Sequence, residues 1–121
     1  METQDARASL LLCRATQHTL LRLLTTTSVL GAYGLPPLTN EQAWAVWRKL
    51  GEDDRIAMAE EPGGLEAGWE ALASRATASP KLWMDAYLAA FAQVGGHQLV
   101  TLDQAYRQFE GLDVVIITSG S

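Results

Sequence analysis

Asp85 and Asp103 are the residues of this chain whose type and setting could do chemistry. Asp85 interrupts "LWMDAYLAAFAQV", a helical run that is apolar nearly all round, and Asp103 directly follows the strand-like "HQLVTL". At 3.6 residues per turn the neighbours of Asp85 are Lys81, Leu82, Leu88 and Ala89, so an ionised carboxylate there is costly without a partner. Two carboxylates brought together can hold a hard divalent cation such as Mg²⁺, with water and phosphate in the remaining positions. Both residues also have plainer uses: Asp85 can pair with Lys81, and Asp103 can cap a short helix over 104–109.

The elements that must position them follow from periodicity and punctuation. "ASLLLC" fits a short buried strand, and "RATQHTLLRLLTTT" keeps Leu20, Leu23 and Leu24 at helical spacing with Thr16 as the expected N-cap. Thr39 and Gln42 match a capping box ahead of the stripe Ala43, Val46, Trp47 and Leu50. "DRIAMAE" alternates like a strand, and "GGLEAGWEALASRA" is a helix burying Leu65, Trp69 and Leu72. Ser79 as N-cap and Pro80 at the first helical position open the helix of Asp85, and Gly95–Gly96 close it. "HQLVTL" is a strand, "DQAYRQF" a short helix, and "LDVVIIT" a β-branched run expected to be covered on both faces. Strands alternating with helices give an α/β fold with a mainly parallel sheet. In right-handed βαβ units helices begin where strands end, so Asp85 and Asp103 both fall at the carboxyl edge, where open α/β folds place ligands.

The 121 residues fit one domain, 48% of them hydrophobic and 19% charged. No apolar run is long enough to span a bilayer, and the start lacks the n-region and apolar core of a secretory signal, so a cytoplasmic protein is expected. The net charge of −5 excludes a protein that grips nucleic acid by bulk positive charge; a polyanion would have to be held by bound cations or a local basic patch. The single cysteine, Cys13, has no internal partner and is expected to be buried. Thr101 and Ser79 stand on the same edge as the aspartates. Arg14, Gln17 and Arg22 are expected at solvated helix positions, His18 and His97 at the surface, and Trp44, Trp47, Trp69 and Trp83 on a core or dimer face.

Taken together, "DAYLAAFA", the glycine break, "LVTLD", a following aromatic and "GLDVV" resemble the C-terminal half of PIN domains, in particular the VapC toxins of bacterial toxin–antitoxin pairs. "CRATQHTLLRLLTT" is similar to the segment joining the second strand to its helix in one VapC group, so the resemblance covers residues from about 10 to 118. It implies a PIN-like three-layer α/β/α sandwich and an endoribonuclease that binds Mg²⁺ or Mn²⁺ through acidic residues and cuts the RNA backbone. Asp85 and Asp103 match the two acids of the family's C-terminal half and would hold the metal. The implied partners are RNA, a cognate antitoxin protein and a second copy in a homodimer.

The sequence departs from the family pattern in three places. The family's first strand, which ends in an essential Asp, has no counterpart here; an acid often found on the next helix would align near Thr19; and Ala105 stands where some relatives carry a further acid. The expectation is a single PIN-like domain over 1–121, truncated at its N-terminus and lacking that first strand, with disordered ends at 1–8 and 119–121. A catalytically inactive fragment that binds an antitoxin or itself is the alternative.

Overall fold

Residues 10–117 are described by the computed structural model, in which the chain falls into two units divided between Glu60 and Glu61. The expected disorder at 1–8 and 119–121 lies outside the described residues. In the first unit β1 (Leu10–Leu12) pairs in parallel with β2 (Ile56–Met58), Leu10 opposite Ile56 and Leu12 opposite Met58. Between them come α1 (Arg14–Leu24), α2 (Thr27–Gly31) and α3 (Asn40–Leu50). The capping box of α3 is present: the Gln42 amide donates to Thr39 Oγ1 at 3.1 Å, and the Thr39 amide donates to Gln42 Oε1 at 2.9 Å. Its stripe buries Ala43 and half-buries Val46, Trp47 and Leu50.

Helix α1 begins earlier than Thr16 would place it. Cys13 is the N-cap, and Thr16, one turn in, accepts from the Cys13 amide at 2.8 Å through its hydroxyl oxygen. Cys13 is buried, as expected of a small apolar residue. Gln17 is buried too, not solvated, and its amide oxygen is satisfied by a hydrogen bond from Arg14 Nη1 at 2.6 Å. Leu23, expected on the apolar stripe, is exposed.

The second unit is built round α5 (Leu82–Gly95), which packs against α4 (Leu65–Ala73). Ala86, Ala89 and Ala90 are fully buried along α5, and Leu82, Ala86 and Ala89 meet Tyr106 and Phe109 in the core. Small side chains let the helices approach closely: a Cβ placed on Gly68 of α4 would lie 2.8 Å from a Val94 methyl and 3.7 Å from the Ala90 Cβ. Helix α5 begins two residues later than Ser79 and Pro80 predict. The Leu82 amide bonds the Ser79 carbonyl at 3.0 Å across a turn, while the Ser79 hydroxyl lies 3.3 Å from that of Thr77 and caps nothing. Gly96 ends the helix in the left-handed region, φ 73°, and the His97 amide returns to the Ala92 carbonyl at 2.8 Å.

Strands β3 (Leu99–Thr101) and β4 (Val114–Ile116) pair in parallel, with Val100 opposite Val115. A 3₁₀ helix, Gln104–Gln108, follows β3. The β-branched run of β4 is not covered on both faces. Leu99 and Val114 pack on the core, whereas Val100, Val115 and Ile117 stay 40–50% exposed, because strand side chains alternate and the core helix lies against one face. The described residues therefore form a mixed α/β chain with short parallel strands. No helix among them is long and apolar enough to cross a membrane.

Gly68→Leu is expected to destabilise the protein by about 1–3 kcal/mol through overpacking against α5, read as a lower denaturation midpoint. An unchanged midpoint would show that this contact yields freely.

Candidate functional site

Asp85 sits in the first turn of α5, where a carboxylate is favoured by the partial positive charge of the helix N-terminus. It is half-buried, and its side-chain partner is Tyr106, whose hydroxyl donates to Asp85 Oδ1 at 3.1 Å. The expected pairing with Lys81 thus gives way to a bond from a buried phenol. Asp103 lies two residues beyond β3 and caps the 3₁₀ helix, Oδ1 accepting from the Ala105 amide at 2.9 Å. Its own amide donates to Thr101 Oγ1 at 3.1 Å, so Thr101 braces the turn that carries Asp103.

Both aspartates line one cavity of about 580 Å³, with Arg75, Ser79, Lys81 and Gln108 also in its wall. Arg75 is tied to the 3₁₀ helix by a 2.9 Å bond from Nη2 to Gln108 Oε1. The cavity therefore combines two carboxylates with two cations, which suits a ligand carrying its own negative charge alongside a metal. Among the described residues no three His, Cys, Asp or Glu side chains are gathered into a metal cage. A two-carboxylate set still fits Mg²⁺, which keeps several waters and is often held by one or two carboxylates plus substrate phosphate.

Tyr106 is the site residue that chemistry-bearing patterns in the sequence miss. Its place three residues after Asp103 gives no hint of that partner, because Asp85 lies 21 residues away in sequence. Burial first, and the Asp85 carboxylate second, hold its hydroxyl well above the usual tyrosine range, so it stays a donor at every physiological pH.

Other candidates distribute differently. His97 is half-buried and stacks on Phe91, ring centroids 6.3 Å apart, while His18 is exposed as expected. Trp44 and Trp83 are 45% and 59% exposed, which rules out the core for them and leaves the dimer-face expectation open. Arg14, Gln17, His18 and Trp44 line a cavity of about 370 Å³ within the first unit.

Helices and short parallel strands define a mixed α/β protein, and Asp85 and Asp103 line one of its cavities. No family model matches the chain. It is 53% identical over 118 residues to Ribonuclease VapC41 of Mycobacterium tuberculosis, in strain CDC 1551 and in strain H37Rv alike, the match taking in 97% of this chain and 81% of the relative. The chain belongs to the VapC ribonuclease family.

Tyr106→Phe is expected to cost on the order of 1 kcal/mol near neutral pH, the net value of one hydrogen bond. The folded pKa is the higher one, so the stability this tyrosine contributes is complete below its unfolded value of about 10 and is lost as pH rises toward the folded value. The variant should lose that alkaline component in a denaturation series, and the wild type should show a late-ionising tyrosine by absorbance at 295 nm. A wild-type titration complete at the ordinary tyrosine value would refute the bond.

Proposed function

We propose that the chain is a metal-dependent endoribonuclease toxin of a toxin–antitoxin pair, with the PIN-like three-layer α/β/α architecture, hydrolysing RNA phosphodiester bonds at Asp85 and Asp103. The observation that carries this reading is that both carboxylates line one cavity whose wall also holds Arg75 and Lys81. Membership of the VapC family supplies the reaction class, since the relative is a ribonuclease by name.

Bound Mg²⁺ or Mn²⁺ would offset phosphate charge and make water more acidic. The residues of the chain do the rest. Asp85 and Asp103 hold their carboxylates at fixed places, one through the Tyr106 hydroxyl and the other through the Ala105 amide. Arg75, fixed by Gln108, and Lys81 attract the phosphate backbone to a protein whose net charge of −5 would otherwise repel it. In the reaction a water oxygen bonds to phosphorus, the bond to the departing ribose oxygen breaks, and one proton of the water ends on that oxygen. The expected assembly is a homodimer held inactive by the cognate antitoxin.

Asp85→Asn and Asp103→Asn test the reading with little risk to the fold. An amide oxygen can still accept from Tyr106, and Asn caps a helix as well as Asp does. Each variant is expected to lose RNA cleavage by at least about a hundredfold, as is wild type in excess chelator, in line with the loss of a charge that stabilises the transition state. Cleavage that persists in both variants overturns the assignment. A chain that binds its antitoxin yet cuts no RNA with Mg²⁺ or Mn²⁺ is instead an inactive interaction domain.

A further inference from the structure

A second cavity of about 760 Å³ adjoins the acidic one and shares Arg75, Ser79 and Pro80 with its wall. Its own lining is aromatic and acidic: Trp69 and Trp83, with Glu66 and Glu70 one turn apart on α4. Trp69 is fixed on three sides. Its Nε1 donates to the Trp83 carbonyl at 3.0 Å, and its ring meets Trp83 and Tyr87 edge to face at 6.4 and 5.3 Å. Trp83, 59% exposed, is an apolar ring held at the rim with much of its surface unused.

We propose that this cavity takes a guanine base of the RNA strand whose phosphate lies at Asp85 and Asp103. The inference rests on the nuclease reading and adds a determinant of substrate choice. Aromatic side chains give a base a surface to stack on. Glu66 and Glu70 repel a phosphate but accept from donors, which makes the pocket a place for a base and not for backbone. Guanine alone among the four bases presents adjacent imino and amino donors, so a single carboxylate can receive both. Arg75, at the boundary of the two cavities and oriented by Gln108, is placed for the connecting phosphate. The shared wall favours RNA over a protein ligand, because one strand can then fill both cavities without a break.

The test compares binding of a short uridine oligonucleotide with the same oligonucleotide carrying one central guanosine, using protein with Asp85→Asn to prevent cleavage and following fluorescence anisotropy. The guanosine oligonucleotide is expected to bind at least tenfold more tightly. Trp83→Ala, an exposed position, should bring both to one affinity, and Glu66→Gln with Glu70→Gln should remove the preference while keeping most of the stacking. Wild-type protein is assayed in parallel for RNA cleavage with Mn²⁺. Cleavage by wild type without a guanine preference, or a preference untouched by Trp83→Ala, overturns the base pocket and leaves the nuclease standing. Trp83→Ala that weakens the antitoxin complex but not RNA binding overturns it in favour of a protein-docking surface. Absence of cleavage overturns the nuclease reading, and the pocket as a substrate determinant with it.

Discussion

Helix α5 encloses so much of its own length that the position of its charge is nearly dictated. Ala86, Ala89, Ala90, Phe91 and Ala92 are buried along it, so these positions have no room for a carboxylate. Asp85 stands in the first turn, where water, the helix N-terminus and a tyrosine can all answer an ionised group. The same tight packing brings Tyr106 and Phe109 from the far side of β3 against Leu82, Ala86 and Ala89. Packing and polar chemistry are therefore not separate here: the apolar contact that places Tyr106 also delivers its hydroxyl to Asp85.

Asp103 reaches the same cavity by a different route. Strand β3 ends at Thr101, the turn is tied by the Thr101 hydroxyl, and the carboxylate is oriented by the amide it caps. One acid is positioned by a long-range side-chain bond and the other by local backbone geometry. The Arg75–Gln108 bond adds a third tie, between the segment after α4 and the 3₁₀ helix, and so fixes a cation in the wall of the cavity that the two acids share.

What could be read in the sequence were features whose cause is local. Thr39 and Gln42 make their capping box because the bonds span three residues, and Gly96 closes α5 because the left-handed conformation is cheap for glycine. Asp103 caps for the same reason. Features set by distant partners were not legible. Pro80 is compatible with a first helical turn, but the chain makes a separate turn there before α5 begins. The apolar run of β4 looks doubly covered although half of it faces outward. Tyr106 carried no polar pattern of its own; only the three-dimensional packing of β3 and α5 gives it a carboxylate to serve.

Cys13 has a consequence for how oxidants act on this chain. The only cysteine is buried at the start of α1, where a thiol is shielded from reagents, so disulfide exchange and sulfenic acid formation have little access to it. Among the described residues the accessible sulfur is that of Met58 and Met84, 44% and 48% exposed. Peroxide damage thus falls on thioethers, and Met84 is the residue between Trp83 and Asp85. A sulfoxide there would place a new polar, chiral group beside the acidic cavity, and its reduction would remove it.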